Sequence, residues 1–364
     1  MFESPIINDT VSEDITVGEL KPESREIEEP LQVARRINNY TKEDLLKFSN
    51  EQLFESLNSL RWSSDELVPE EILDAEARIY SVYEPSVALQ LRHKQVNTEV
   101  VDSYNPKDLL SLKEKWKTEV ETDKKIAFIK SYVEKLAEQY GLNQSIDIVV
   151  YDEPFDSEGA MWLASHESDR IGVLILYKTV IEKSNLNTIL SDISHEMAHA
   201  FQESIRKGIV PDIDNFKNDQ EWFNVYASRY DQGKSKYLDA FKSSRARYLA
   251  IPIERDAWAM QLTAYNEIDR ASDQYADEVL AQAGLDTYSN IKKQSVLAKW
   301  IRRNLKEDTD PDSLVELARR STFSSFVEQV ESFVSGKNMN QIIPAIETIE
   351  EKRQKADELL GLAA

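Results

Sequence analysis

Two histidines four residues apart, His195 and His199, are the residues of this chain best suited to carry chemistry. On a helix, positions i and i+4 lie on one face, so both imidazoles can reach the same cation. Glu196 directly follows the first histidine and points at a different angle, from which its carboxylate can hold a water molecule on that cation. The stretch 194–199, Ser-His-Glu-Met-Ala-His, therefore has the H-E-x-x-H spacing typical of zinc hydrolases.

A hydrolytic zinc site takes three protein ligands and leaves one position for water. The chain has no cysteine, and its other two histidines are His93 and His166, neither of which suits the site, so the third ligand is expected to be a carboxylate. The extended motif of the metzincin class is excluded, because Gln202 and Ile205 stand where that motif needs glycine and histidine.

Three glutamates are candidates for the third ligand. Glu203 lies on the same predicted helix, four residues past His199, and is badly placed to close a tetrahedral site. Glu221 and Glu254 follow His199 by 22 and 55 residues. Glu254 is preferred because it begins a second well-formed helix, which holds a ligand more precisely than a linker does. Glu221 stays as the alternative.

Hydrophobic periodicity places the motif on a helix that follows a small group of strands. β-branched residues predict strands at Ser145–Tyr151 and Arg170–Tyr177, with a weaker strand at Gly159–Ser165 between them. The motif helix comes next, with Ser184 or Asn187 as its cap. Its apolar side is predicted to be buried, and both histidines lie on its polar stripe.

Helical periodicity dominates the rest of the chain, including a helix at Ile253–Asp269. The predicted fold class is therefore α+β and predominantly helical, with a three-to-four-stranded sheet packed on the motif helix. Polar linkers are expected around Lys207–Gln220 and Asp231–Lys236. His93, in polar company, is expected at the surface without a role. The predicted organisation is an acidic disordered leader (1–30), a helical N-terminal region (31–120), a core containing the motif (121–270) and a helical C-terminal region (271–364).

The net charge of the chain is −22, from 66 acidic and 44 basic residues. This balance argues against binding to a nucleic-acid backbone or to an anionic membrane. No apolar run approaches the about 20 residues needed to cross a bilayer, and the first residues lack the basic and apolar regions of a signal peptide. We therefore expect a cytoplasmic protein that binds neither nucleic acid nor a membrane.

The motif at 195–199, with strands before it and a helix bearing Glu254 after it, resembles the zincin metalloproteases of the gluzincin branch. The resemblance covers about Lys124–Arg270 and is similar in scale to the minimal gluzincins of bacteria and their phages. It implies Zn²⁺ held by both histidines and Glu254, and a zinc-bound water that Glu196 activates as general base. It also implies that the partner is a protein or peptide substrate whose peptide bonds are hydrolysed. The alternative is a zincin-shaped scaffold or interaction protein, for example one associated with a virion.

The same resemblance makes predictions about the surroundings of the metal. Ile171–Tyr177 is expected to be the edge strand beside the motif helix, where an extended peptide can add by main-chain pairing. Tyr248 and His166 are candidates for the oxyanion donor. Many gluzincins carry an aspartate four residues after the ligand glutamate; this chain has Trp258 there, and Asp256 two residues before it.

Overall fold

The structure is a computed structural model that describes residues 29–62, 68–142, 145–152, 160–164, 170–232, 243–306, 309–321 and 324–362. The predicted leader lies outside these residues up to position 28. The described N-terminal part is helical, and its helices are α1 (Pro30–Asn38), α2 (Lys42–Leu45), α3 (Asn50–Ser59), α4 (Glu70–Tyr80), α5 (Val87–Asp102) and α6 (Pro106–Lys115).

A mixed sheet follows helix α7 (Thr122–Tyr140). Gly141 ends this helix as predicted, and its φ of 72° is the left-handed conformation that glycine adopts without strain. The predicted strands are present as β1 (Ser145–Tyr151), β2 (Ala160–Ala164) and β3 (Arg170–Tyr177). β1 pairs with β3 in parallel and β2 pairs with β3 antiparallel, so the spatial order is β1-β3-β2.

The prediction that Ile171–Tyr177 is the edge strand is wrong. This segment is the central strand, because β1 pairs along one of its sides and β2 along the other. Among the described strands, β2 forms the edge that packs against the motif helix. Gly172 of β3 makes the pairing possible, since a Cβ there would lie 2.3 Å from the Leu163 carbonyl oxygen and 2.5 Å from the Trp162 ring.

The motif lies on α9 (Leu186–Arg206), which α8 (Lys178–Lys183) joins to the sheet. Neither Ser184 nor Asn187 caps this helix. Asn185 does: its backbone is extended and its side-chain oxygen accepts from the Thr188 N–H at 2.8 Å. The predicted apolar side is confirmed, since all of its members are buried: Leu186, Ile189, Leu190, Ile193, Met197 and Ala200.

A 3-10 helix (Ile213–Phe216) and α10 (Lys217–Gln232) follow. The linker predicted at Lys207–Gln220 is therefore wrong in its last residues, which already form the first turn of α10. Trp222 and Phe223 hold that helix in place, because both are buried against the ring of Tyr83, which follows α4, and Trp222 also packs against Phe54 of α3. The second predicted linker lies outside the described residues from position 233.

After α11 (Arg245–Tyr248), the chain enters α12 (Pro252–Gln282), the long partner of the motif helix. α12 extends beyond the predicted end at Asp269, because small and apolar residues keep one of its faces buried as far as Leu280. α9 and α12 are antiparallel. Gln202, near the end of α9, bonds to Asp256 near the start of α12, and Asn187, near the start of α9, bonds to Asp269 further along α12. Buried side chains of the N-terminal helices, α9 and the first half of α12 form one continuous core.

The C-terminal helices are α13 (Tyr288–Asn304), α14 (Pro311–Ser321), α15 (Ser324–Val334) and α16 (Met339–Leu359). They surround a second apolar core that includes Ile301, Leu314, Val330 and Ile342. The predicted α+β, predominantly helical class is thus confirmed. Within the described parts of the chain, no helix has both the length and the apolar character to cross a membrane.

Candidate metal centre

The motif histidines and Glu254 meet where α9 and α12 pack together. Glu254 Oε2 lies 3.5 Å from His195 Nε2 and 3.7 Å from His199 Nε2. The two imidazole rings stand at 87° with centroids 4.9 Å apart. His195 and Glu254 are each only 7% exposed. The three side chains therefore form a compact, largely buried group whose donor atoms could hold one metal ion.

The two nitrogen–oxygen distances are close to those expected when one ion is coordinated tetrahedrally. With metal–ligand bonds of about 2.0–2.2 Å, two ligand atoms of a tetrahedral site lie about 3.3–3.6 Å apart. The observed nitrogen–oxygen distances of 3.5 and 3.7 Å differ little from that range. Two imidazoles and one carboxylate supply three ligands, so a fourth position is left for water or substrate.

The Glu254 carboxylate is held in its charged form. Burial alone would raise its pKa, but the charge of His199, the hydrogen bond and charge of His195, and a hydrogen bond from the Tyr248 hydroxyl outweigh burial and lower the pKa to about 2. An ionised carboxylate is the form that binds a cation. Tyr248, predicted as an oxyanion donor, is thus found donating to the carboxylate of Glu254.

The other candidates for the third ligand lie apart from this group. Glu221 is exposed on α10, where its carboxylate accepts from Asn50 Nδ2 at 3.4 Å. Glu203 is engaged by Arg206 and Lys207 on its own helix. The geometry therefore favours Glu254 over both. His166, the second predicted oxyanion donor, lies outside the described residues.

Glu196 faces the edge strand. One of its carboxylate oxygens accepts from the backbone N–H of Trp162 at 2.7 Å. The N–H and C=O groups of successive strand residues point to opposite sides of the strand. The Leu163 carbonyl is directed at β3, so the groups of Trp162, the preceding residue, point away from β3. The Trp162 N–H therefore points to the side of β2 that faces away from β3, and it binds the Glu196 carboxylate there.

A glutamine determines which nitrogen of His199 carries the proton. Gln202 Nε2 donates to the Ile253 carbonyl at 2.9 Å and to Asp256 Oδ2 at 2.7 Å, and both of these groups only accept. The amide oxygen must then face His199 Nδ1, 2.9 Å away, so this nitrogen is the donor. In the neutral ring, which is the form that binds a metal ion, Nε2 of His199 then carries the lone pair.

Asp256 continues this network into the core and overturns the prediction for His93. His93 is 3% exposed, not at the surface, and its Nε2 lies 2.9 Å from Asp256 Oδ2. Its Nδ1 lies 2.6 Å from the Tyr140 hydroxyl. A buried histidine needs polar partners, and these come from α7 and α12. The result is a continuous buried chain from His199 through Gln202, Asp256 and His93 to Tyr140.

Trp258 occupies the position where the family pattern would place an aspartate. Its ring packs edge-to-face on His195, with centroids 5.5 Å apart and planes at 78°. Among the described residues, His195 Nδ1 has no hydrogen-bond partner. His195 is thus oriented by packing against an indole, whereas His199 is oriented by hydrogen bonds.

One member of the hydrogen-bond network from His199 to Tyr140, Gln202, could have been predicted from the sequence. Gln202 lies three residues after His199 on the same stripe of α9, where a side chain reaches the neighbouring ring. Nothing in the local sequence connects His93 with Asp256, which is 163 residues away. Likewise, the contact of Glu196 with a backbone N–H depends on strand order and has no side-chain signature.

No family model, no curated protein and no solved structure matches this chain. Function is therefore inferred from the site itself.

Proposed function

We infer that this chain is a zinc-dependent metallopeptidase of the gluzincin type. The observation that carries this inference is the buried group of His195, His199 and Glu254, in which the carboxylate oxygen lies 3.5 and 3.7 Å from the two imidazole nitrogens. Glu196 directly follows His195 on the same helix. A nitrogen and oxygen donor set without thiolates suits zinc in a hydrolytic site. An antiparallel edge strand next to the motif helix also supports the assignment.

In the proposed hydrolysis, each residue of the site has a separate role. When bound, zinc would polarise the scissile carbonyl and acidify water. Glu196 is the general base that takes a proton from the attacking water and later gives it to the leaving nitrogen. The Trp162 N–H holds this carboxylate against the edge strand. Gln202 keeps His199 in the tautomer that leaves its Nε2 free.

The substrate is a peptide in extended conformation that pairs with β2. The Trp162 N–H already donates to Glu196, so the segment would pair with the other main-chain donors and acceptors of this edge. β2 is the edge strand that packs against α9 and contacts Glu196, so a peptide added to it would pass beside Glu196. This replaces the earlier expectation that Ile171–Tyr177 receives the substrate.

The decisive experiment compares wild type with Glu196→Gln for zinc content and for cleavage of an unfolded protein such as casein. Loss of cleavage in a variant that keeps its zinc supports the peptidase. The substitution preserves size and removes only the base, so a folding defect is not expected. Bound zinc with no cleavage by either protein would instead favour the scaffold reading.

A further inference from the structure

We propose that a pocket outside the metal centre binds a free amino acid with an apolar side chain. The pocket lies between α5, the end of α7 and the turn at 211–216, and is called the α5 pocket. None of the three candidate zinc ligands lines it. Free amino acids are products of peptide hydrolysis, so the source of this ligand rests on the proposed function, whereas its recognition rests on the pocket alone.

The floor of the α5 pocket is aromatic and belongs to the core. The rings of Tyr140 and Phe201 are stacked, with centroids 4.5 Å apart and planes at 23°. Phe216 packs edge-to-face on Phe201, with centroids 5.8 Å apart. All three side chains are buried, while Leu91 of α5 adds an apolar wall that is 62% exposed. An apolar side chain placed here would be removed from water.

Two charged residues of opposite sign line the same pocket. Arg92 lies on α5, and its Nη2 donates to the Gln139 carbonyl at 2.6 Å, which holds the guanidinium in place. The other N–H donors of the fork can still bind a carboxylate. Asp212 lies in the turn after α9, with φ 56° and ψ 38°. Within the described parts of the chain, neither side chain forms an ion pair, so both charges are available to a ligand.

A free amino acid matches the charges, the floor and the size of the α5 pocket. Its carboxylate would pair with Arg92, its ammonium group with Asp212, and its side chain would cover the aromatic floor. A ligand with a single charge would instead meet one like charge. The cavity volume is about 260 Å³. This is the volume of about nine water molecules, which suits a molecule of about nine non-hydrogen atoms, such as leucine.

The α5 pocket shares Tyr140 with the buried network behind the metal centre. The ring of Tyr140 lines the pocket, and its hydroxyl lies 2.6 Å from His93 Nδ1. Phe201, also on the floor, follows His199 by two residues on α9. The pocket is therefore built on the elements that position His199 but is separate from the zinc ligands, so binding of an amino acid and binding of zinc can be measured independently.

The test measures binding of three compounds to the zinc-loaded full chain by ligand-observed NMR titration. The compounds are L-leucine, 4-methylpentanoate, which lacks the ammonium group, and 3-methylbutylamine, which lacks the carboxylate. We expect leucine to bind with a Kd of about 1 mM or tighter. Each analogue should bind about fivefold more weakly than leucine, because it loses one ion pair with a partly exposed partner.

Asp212→Asn removes the negative charge and keeps the shape, and asparagine tolerates the left-handed backbone of this position. In this variant leucine should bind about fivefold more weakly than in wild type, and no better than 4-methylpentanoate. Asp214→Asn is the matched control, because Asp214 lies two residues further on, pairs with Lys217 at 2.8 Å and does not line the pocket. This control should keep the wild-type affinity for leucine.

Four results would overturn the proposal: no binding of leucine to wild type, equal binding of the three compounds, an unchanged leucine affinity in Asp212→Asn, or an equal loss in both variants. An unchanged affinity in Asp212→Asn would place leucine at the metal centre or elsewhere. A protein that binds leucine in the α5 pocket but cleaves no peptide would contradict only the proposed function, and a peptidase that binds no leucine would contradict only the pocket.

Discussion

Replacement of Gln202 by leucine isolates the role of the network behind His199. Leucine is close in size but removes one acceptor and two donor contacts, to His199, Ile253 and Asp256. Loss of a partner that orients a metal-binding histidine typically weakens metal affinity by about 10–100-fold. At about 1.4 kcal/mol per factor of ten, this equals about 1.4–2.8 kcal/mol.

The same substitution should also lower stability without metal. It leaves the Ile253 carbonyl short of a partner, and Asp256 keeps only the contact with His93. Each buried polar group that loses its partner costs about 1–3 kcal/mol, so we expect the free energy of unfolding to fall by about 3 kcal/mol. Zinc affinity is measured by competition with a chromophoric chelator, and stability by urea denaturation of the metal-free protein.

Gln220→Leu is the matched control for this prediction. Gln220 donates to the Ile205 and Arg206 carbonyls at the end of α9, at 2.9 and 3.3 Å, and has no contact with the metal centre among the bonds described. Its loss should lower stability and leave zinc affinity unchanged. If Gln202→Leu bound zinc within about threefold of wild type, or if both variants lost affinity equally, Gln202 would not be orienting His199.

Three further outcomes are expected. Glu254→Gln should weaken zinc binding by more than about 100-fold, which is the largest effect typical of residues that only contact a metal ligand. Glu221→Gln should leave zinc affinity unchanged in the same chelator competition. Gly172→Ala should lower the free energy of unfolding by about 1–3 kcal/mol and impair peptide cleavage, because the new Cβ would lie 2.3 Å from a backbone oxygen of β2. Zinc affinity should be unchanged, since the three zinc ligands lie on helices. Burial raises the pKa of Asp192 from 3.8 to about 6. Between these two pKa values the folded protein keeps a proton on Asp192 that the unfolded chain has released, so the free energy of unfolding decreases as the pH rises through this range. Asp192→Asn should therefore be more stable than wild type by up to about 3 kcal/mol at pH 7 and equal to it at pH 3, in urea denaturation of metal-free protein.

Local sequence patterns were sufficient for the elements that carry the ligands. Apolar spacing predicted α9 and its buried side, β-branched runs predicted the three strands, and Pro252 marked the start of α12. The spacing of His195 and His199 then required both rings to share a face. The position of Glu254 in the first turn of a helix favoured it before any contact was known, and the geometry agrees.

Contacts between distant segments could not be predicted in the same way. Strand order depends on which edges pair, and an apolar run such as β3 has the same pattern in the centre of a sheet as at its edge. His93 has polar neighbours in sequence but is buried by residues of α7 and α12. Tertiary burial also explains why α12 continues to Gln282. Small and apolar residues are buried along one side of the helix, and the charged residues between them obscure this pattern in the sequence.

The central claim is that His195, His199 and Glu254 together bind one zinc ion. The most direct test is the zinc content, by mass spectrometry after dialysis, of wild type and of the double variant His195→Ala/His199→Ala. We predict about one zinc ion per wild-type chain and essentially none in a folded double variant, because a lone carboxylate cannot replace three ligands. Equal zinc in both proteins would contradict the assignment of this site.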